Sequence, residues 1–337
     1  MKALITGVSG QDGSYLAELL LSKGYEVHGI VRRYTIPSFP NIAHLLEKDA
    51  VVLHEADLLD MGSLETVIAA VKPDECYSLA AMSHVGTSFT QPDYTAQATG
   101  MGAVRVFEAV RRHARGARVY QASSSEMFGN VQTELGIEKG DELGPFRPVS
   151  PYGIAKLQAH HAARMYRESY GMHVSCGILY NHESARRGTQ FVTRKITLGL
   201  ARIAYGLQGS LELGNLSAVR DWGHAPEYTD AMWRMLQADT PGDFVVATGV
   251  GSNVAGFLGI AVDEVAKRTG VSVESLMSAV HSVPSQKRPT DIDRLVGNAA
   301  KAKAQLGWEA KLNFEDVARV MAVSDCAAVK AGMGALS

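Results

Sequence analysis

Cysteine is scarce in this 337-residue chain: Cys76, Cys176 and Cys326 are far apart and odd in number. None of them pairs at the close spacing of a zinc or redox motif. Two lie in the apolar runs "DECYSLA" and "VSCGILY", where cysteine serves as a small hydrophobe. No stretch reaches the roughly 18 uncharged apolar residues of a membrane helix. The opening "MKALITG" has no apolar run long enough for a signal peptide. A cytoplasmic address is therefore expected. Charge of one sign is lacking too, with a net charge of −2 and a pI near 6.6. No global field points to nucleic acid or an anionic membrane, although a local cationic pocket for a phosphorylated ligand is compatible with that balance.

Aromatic residues make up 7% of the chain. Trp222, Trp233 and Trp308 are scattered through the second half, which suits core positions better than base-stacking platforms. There is no G-x-x-x-x-G-K-[ST] phosphate loop and no G-x-S-x-G nucleophile elbow. The adjacent His160 and His161 point to different faces of one helix. They are poor joint metal ligands and are expected to be solvated or interfacial, so no metal is expected.

What is present is an alternation of short β-rich runs with longer amphipathic ones. "KALIT", "EVHGIVR", "AVVLHE", "ECYSLAA", "ARVYQAS" and "HVSCGILY" read as strands. "GSYLAELLLSKG", "MGSLETVIAAVK", a segment from about Thr95 to Arg115, and "PYGIAKLQAHHAARMYRESYG" read as the helices between them. Such alternation predicts right-handed βαβ crossovers and a Rossmann-type, doubly wound parallel sheet. After Asn181 the pattern loosens. "FVTRKITLGLARIAYG" and "PEYTDAMWRMLQA" read as helices, "SLELG" and "DFVVATG" as strands, and "SVPSQKRPTDIDRL" as a loop. The expected division is a dinucleotide-binding domain over 1–180 and a smaller α/β substrate-binding part over 181–337. A segment near 224–250 is expected to return to the first domain.

"LITGVSGQDGSYLAELL" places Gly7, Gly10 and Gly13 between the first strand and the first helix. Glycines there permit a tight turn and close backbone approach to a pyrophosphate, while the helix N-terminus supplies free N–H groups. The second strand ends in Arg32-Arg33 rather than in the acid that receives a ribose 2′-hydroxyl. Two cations suit a 2′-phosphate and favour NADP over NAD; a solvated arginine pair is the plain alternative. Asp57-Leu58, after the third strand, would fit beside the adenine. "SPYGIAKLQ" carries Tyr152 and Lys156 on one helix face. A neighbouring ammonium favours the phenolate of a tyrosine whose free pKa is about 10. "ASSSEMFG" adds hydroxyls and a carboxylate, Glu126, directly after a strand. One of its serines can also cap the turn that follows.

In this order, those motifs identify a resemblance to the extended short-chain dehydrogenase/reductases. More narrowly, the chain resembles the GDP-mannose 4,6-dehydratases, a likeness carried by "YQASSSEMFG", "SPYGIAK", "NHES", "FVTRKIT", "RDWGHA" and "RPTDID". The resemblance implies four catalytic residues. Tyr152 would take the 4-hydroxyl proton as hydride passes to NADP. Ser124 would bond the 4-oxygen, Lys156 the cofactor ribose, and Glu126 would move protons at C5 and C6. It implies a cofactor site of Gly7, Ser9, Gly10, Gln11, Asp12, Gly13, Arg32, Arg33, Asp57, Leu58, Leu79, Ala80, Ala81, Ser83, Tyr94, His182 and Arg187, with Tyr34 and Thr35 beside it. Ser83, Asn181, Val192, Lys195, Asn215, Arg220, Arg288 and Asp291 would hold GDP-mannose. Arg220 and Arg288 suit a pyrophosphate, or else a surface ion pair. A homodimer or homotetramer is implied as well.

Four departures stand out. Ser124 replaces a threonine, Met82 a glutamine and Ala185 a proline, the last leaving a looser loop before Arg187. "RRYTIPSFPNIAHLL" differs from the family's "RRSSSFNT" loop, which puts the roles of Tyr34 and Thr35 and the subunit contacts of residues 34–46 in question. The same machinery acting on another nucleotide sugar such as a GDP-heptose, an epimerase or 4-keto reductase of this fold, and an idle NADP-binding sensor are the competing readings. An epimerase or 4-keto reductase has no use for Glu126 in water elimination and a sensor needs no acid/base glutamate, so Glu126 favours a dehydratase.

Overall fold

The structure, a computed structural model, describes residues 1–283 and 289–332. Among the described residues thirteen strands are numbered in chain order: β1 Lys2–Thr6, β2 Glu26–Val31, β3 Val51–Glu55, β4 Glu75–Ser78, β5 Arg118–Ser124, β6 Val174–Leu179, β7 Asn181–Glu183, β8 Leu211–Leu213, β9 Val219–His224, β10 Asp243–Val246, β11 Gly251–Asn253, β12 Val280–Ser282 and β13 Arg294–Leu295. Seven of them form one parallel sheet in the order β10-β6-β5-β4-β1-β2-β3. Strands β4, β5 and β6 are buried almost throughout, as expected for parallel strands covered on both faces. One face packs the helices Gln11–Ser22 and Ala225–Gln237 through Leu16, Leu20, Tyr228 and Met232. The other packs Met61–Val71, Gly102–His113 and Pro151–Tyr170 through Ile68, Phe107 and Ala163. The doubly wound class expected from the alternation is thus the one observed.

Chain order reverses between β1 and β4, so their carboxyl ends diverge and open a crevice. Two glycines set its floor. Gly7 takes φ +75°, and a β-carbon there would sit 3.1 Å from Ala80 Cα. At Gly13 a β-carbon would lie 2.3 Å from the Gly7 carbonyl oxygen and 2.7 Å from Val8 Cα, both backbone atoms. The first helix therefore approaches β1 more closely than any larger residue would allow.

Beyond β6 the chain leaves the sheet. Strand β7 pairs with β9, which also pairs with β11 and β13, while β8 pairs with β12. The "SLELG" run is β8. "DFVVATG" supplies β10, which pairs with β6 at the edge of the large sheet. Helices Val192–Ala204, Val254–Thr269 and Phe314–Lys330 enclose a separate core with Trp222, which is 1% exposed. Trp308 is buried as well, and Trp233 is half-buried beneath Lys23.

Two sequence expectations are corrected. The helix assigned to about Thr95–Arg115 starts at Pro92, runs through a wider π turn over Ala96–Met101 and ends at His113. There Thr99 Oγ1 accepts the Met82 N–H at 3.1 Å, a tertiary contact invisible to periodicity. The loop assigned to "SVPSQKRPTDIDRL" contributes Ser282 to β12 and Arg294–Leu295 to β13, strands too short to carry an alternation.

The glycines generate a paired stability prediction. Gly13→Ala should lower unfolding free energy by about 1–3 kcal/mol, the usual penalty of overpacking. Gly259→Ala, on an exposed helix position with nothing within 4 Å of the new methyl, should raise it by about 0.5–1 kcal/mol. Urea titrations of both variants check the contrast.

Candidate active site

A cavity of about 1270 Å³ lies between the carboxyl edge of the large sheet and the small sheet around β9. Its walls come from the turn after β1, the ends of β4, β5 and β6, the start of helix Pro151–Tyr170, and residues of β7–β9.

Ser124 is the last residue of β5, and its Oγ accepts the Glu126 N–H at 3.2 Å. That bond caps the single 3₁₀ turn Ser125–Met127 and turns the half-buried Glu126 into the cavity wall. Opposite stands helix Pro151–Tyr170, begun by Pro151 and capped by Ser150 Oγ, which accepts from Gly153 N at 3.0 Å. A β-carbon at Gly153 would meet the Glu126 carbonyl oxygen at 2.7 Å, so the helix start rests directly on the glutamate's backbone. Tyr152, 8% exposed, faces the Ser124 hydroxyl. Lys156 Nζ donates to the Ala122 carbonyl at 2.6 Å and lies 5.8 Å from the Tyr152 ring centre. All four residues expected to be catalytic share this one cavity.

The expected electrostatic relation between the last two does not appear with these neighbours. Burial pushes the Tyr152 phenol up to about 12, while the Ser124 hydroxyl and Arg187 act downward and Glu126 upward. Burial likewise pulls Lys156 down to about 8, against the pull of Asp12. An ammonium anchored on a carbonyl and itself disfavoured by burial does not lower the phenol; desolvation of the phenolate wins.

At the glycine-rich turn, Gly10 stands at the N-cap of helix Gln11–Ser22 with no side chain bonding the helix's first N–H groups. Asp12 Oδ2 accepts from His182 Nε2 at 2.8 Å, and His182 Nδ1 faces the Tyr180 carbonyl at 2.7 Å. With an acceptor at each ring nitrogen, both must carry hydrogen, which makes His182 an imidazolium. Gln11 Nε2 donates to the His182 carbonyl at 3.1 Å, and its Oε1 accepts from Ser184 Oγ at 2.8 Å. The first helix and the segment after β6 are thereby tied together.

Ser9 and the glycines Gly7, Gly10 and Gly13 line the same cavity, as do Asp57, Leu58, Leu79, Ala80, Ala81, Met82 and Ser83. Thr6 Oγ1 accepts from both Leu79 N and Ala80 N, fixing that wall to β1. Arg32 reaches it and donates to Tyr94 Oη at 2.9 Å, with Tyr34 alongside. Arg33 and Thr35 do not: both are exposed and outside the wall.

Asn181, Val192, Lys195, Asn215, Arg220 and Asp291 line the far end. Arg220 donates to the Ile292 carbonyl at 2.7 Å and pairs with Asp291 at 3.3 Å, and Asn215 Nδ2 donates to the other Asp291 oxygen at 3.3 Å. Arg288 lies outside the described residues. Arg187 pairs with the buried Glu183 at 3.1 Å and stacks 3.7 Å above the Phe191 ring. The loop at Ala185 is better held than its lost proline suggests. Its carbonyl accepts from Arg194, which pairs at 2.7 Å with the fully buried Asp325 of the last helix.

Some wall residues had no sequence signal of their own. Glu183 accepts from Thr193 Oγ1 at 2.5 Å besides holding Arg187. Arg186 pairs with Glu18 at 2.6 Å and lies 4.0 Å over the Tyr15 ring. Adjacent arginines look alike in one sequence; only the fold separates their partners. His160 is also corrected: it is 3% exposed, whereas His161 alone is on the surface.

A doubly wound sheet with a serine, a glutamate and a tyrosine–lysine helix at its switch-point crevice defines an enzyme of the extended short-chain dehydrogenase/reductase type. Solved structures agree on the fold. Thermus thermophilus UDP-glucose 4-epimerase, in complex with NAD, superposes with a TM-score of 0.82 at 24% identity, covering 96% of this chain and 99% of that one. RMD from Pseudomonas aeruginosa, complexed with NADPH, gives 0.76 at 21% identity, covering 97% and 99%. The family model described as GDP-mannose 4,6 dehydratase matches residues 4–321. GDP-mannose 4,6 dehydratase 2 of Caenorhabditis elegans is 46% identical over 98% of this chain and 90% of its own length. The Vibrio cholerae GDP-mannose 4,6-dehydratase is 44% identical over 96% and 93%. The chain belongs to the GDP-mannose 4,6-dehydratase family.

The Asp12–His182 pair generates a pH prediction. Burial pushes the Asp12 carboxyl up, but the His182 charge and hydrogen bond outweigh it and hold the group at about 2, below its ordinary 3.8. Burial disfavours the His182 imidazolium, yet Asp12 raises its pKa above the ordinary 6.5. The Asp12 contribution is therefore complete above 3.8 and lost as pH falls through about 2. The His182 contribution is complete below 6.5 and lost as pH rises through its elevated value. Asp12→Asn should cost on the order of 2 kcal/mol between those limits, and the difference from the parent should narrow on both sides. Urea unfolding at a series of pH values measures it.

Proposed function

We propose that this protein is an NADP-dependent hydro-lyase that converts GDP-mannose to GDP-4-keto-6-deoxymannose. The observation that carries the reading is Glu126, a carboxylate in the same cavity as Ser124, Tyr152 and Lys156. An epimerase or a simple reductase needs the tyrosine–lysine pair and has no step for that carboxylate.

The residues fit the dinucleotide. The side-chain-free N-terminus at Gly10 suits its pyrophosphate, and Arg32 suits a 2′-phosphate, which favours NADP over NAD. Gly7, Ser9, Gln11, Asp12, Gly13, Asp57, Leu58, Leu79, Ala80, Ala81, Tyr94, His182 and Arg187 would complete that half of the cavity. Ser83, Asn181, Val192, Lys195, Asn215, Arg220 and Asp291 would hold the nucleotide sugar. Residues 1–180 would then form the cofactor domain and 181–337 mainly the substrate part, with residues near 224–250 returning to the first. A cytoplasmic homodimer or homotetramer completes the proposal.

Bound NADP would supply the chemistry the side chains lack, accepting hydride from C4 and returning it at C6. Tyr152 takes the 4-hydroxyl proton, and Ser124 donates to the oxygen as it becomes a ketone. Lys156, on the Ala122 carbonyl, is placed to bond a ribose hydroxyl. The 4-keto group acidifies the C5 proton, which Glu126 removes; the same carboxyl, now protonated, gives that proton to the departing 6-hydroxyl, and water leaves. Return of hydride at C6 leaves C5 one proton short, and Tyr152, still holding the 4-hydroxyl proton, supplies it and is reset. Positioned proton transfer of this kind is worth about 10²–10⁴-fold.

Incubation with GDP-mannose and a catalytic amount of NADP should give a product lighter by one water in the mass spectrum. GDP-mannose that binds and is returned unaltered would sink the reading. Glu126→Gln should abolish exchange of the C5 proton with solvent deuterium and lower turnover by about 10²–10⁴-fold, with nucleotide affinity retained. Exchange at the parental rate would remove Glu126 from its role.

A further inference from the structure

Tyr152 and Lys156 belong to a longer series. Tyr152, Lys156 and His160 recur every four residues along helix Pro151–Tyr170 and so form one stripe, turned toward β5. Each rung makes a polar contact with the end of that strand: Tyr152 with the Ser124 hydroxyl, Lys156 Nζ with the Ala122 carbonyl, and His160 Nδ1 with Ser123 Oγ at 3.0 Å. His160 and Ser123 are each 3% exposed, and no step proposed above uses either.

We propose that His160 is a positioning residue for Tyr152 and Lys156, acting through Ser123. A polar bond in this buried place is directional, and it fixes the helix on β5 one turn beyond the Lys156 bond to Ala122. The ring's own orientation is fixed from behind. Nε2 faces Asp243 Oδ2 at 3.9 Å, and Arg167 grips both oxygens of that carboxylate at 2.9 and 3.1 Å. Burial holds His160 neutral, its pKa lowered to about 4. One ring nitrogen then carries hydrogen, and the Ser123 hydroxyl, which can donate or accept, completes the bond to Nδ1 in either tautomer. The Phe146 ring closes the remaining side, edge-on with centres 5.5 Å apart.

A metal does not explain the cluster. Ligand atoms of His160, Cys176 and Asp243 lie within 4.8 Å of one another. The Arg167 fork, however, already holds the carboxylate, and burial raises the Cys176 thiol well above its ordinary range. A cation there would displace or face a guanidinium.

The proposal rests on the dehydratase reading for its kinetic readout, so a second readout is independent of activity. Ser123→Ala and His160→Ala should each lower kcat about tenfold, the worth of one buried hydrogen bond, with KM for GDP-mannose within about twofold of the parent. The double variant should fall no further than either single one, because both changes remove the same bond. His160→Asn, whose side-chain oxygen falls near the Nδ1 position, should restore most of kcat, whereas His160→Gln, which reaches toward Asp243, should not. Amide hydrogen exchange over residues 151–157 should quicken in Ser123→Ala and His160→Gln and return to the parental rate in His160→Asn. A parent that fails to dehydrate GDP-mannose overturns the activity reading while leaving the exchange comparison to decide the positioning. Parental kcat in Ser123→Ala, equal effects of Asn and Gln, additive losses in the double variant or unchanged exchange would each overturn the proposal. Should His160→Ala not fold, Ser123→Ala, which deletes one hydroxyl, carries the same test.

Discussion

The hydrogen-bonded pair of Asp12 and His182 is the constraint on which the cavity depends. Asp12 belongs to the first turn of the first helix, and His182 belongs to β7, three residues after the large sheet ends. Without that bond the chain could leave β6 in many directions. With it, β7 is directed away from the large sheet and pairs with β9, which sets Asn215, Arg220 and Asp291 opposite the switch-point crevice. The Gln11 bonds to His182 and Ser184 share the load, so the joint is a network of satisfied groups rather than one ion pair. Tyr228 stacks on the imidazole with ring centres 4.7 Å apart, keeping water from the far side.

Burial sets the electrostatic character of the opposite wall. Tyr152 and Lys156 are both pushed toward their neutral forms, the phenol upward and the amine downward. The phenol is thus kept as an acid that can be ionised only when something else in the cavity stabilises charge, which suits a residue meant to give and take one proton in a closed cycle. Glu126 is placed differently, half-buried on a strand-end turn rather than on the helix.

The sheet was legible because each βα unit repeats a strong local pattern, and the glycine spacing at 7, 10 and 13 has a steric cause that survives in any context. The site was legible through short segments whose residue types are set by chemistry, among them "ASSSEMFG" and "SPYGIAK". Other features had no local signature. Within the π turn at Ala96–Met101, Thr99 meets the backbone of Met82, a partner 17 positions away in the chain. β11 and β13 are edge strands of two or three residues defined only by pairing with β9. Glu183 and Arg186 acquire roles through partners at positions 193 and 18, and the burial of His160 depends on Asp243 arriving from β10. In each case the deciding contact is distant in sequence, so residue type and spacing alone did not reveal it.

The two kinds of chemistry proposed for the cavity sit on two different elements, and their joint is a single glycine. Hydride removal needs Tyr152 and Lys156, which a helix holds at a fixed spacing of four. In that proposal water elimination uses Glu126, which a strand-end turn carries into the same cavity. These groups act on one substrate only if helix and turn keep a fixed separation. Gly153 permits the helix start to lie against the Glu126 carbonyl, closer than a β-carbon would tolerate. Ser150, capping that same Gly153 N–H, prevents the first turn from unwinding away from it. The strand end and helix start therefore behave as one rigid piece, and on the proposed reading a carboxylate added to the general tyrosine–lysine arrangement at this point would extend an oxidation at C4 into an elimination at C5 and C6.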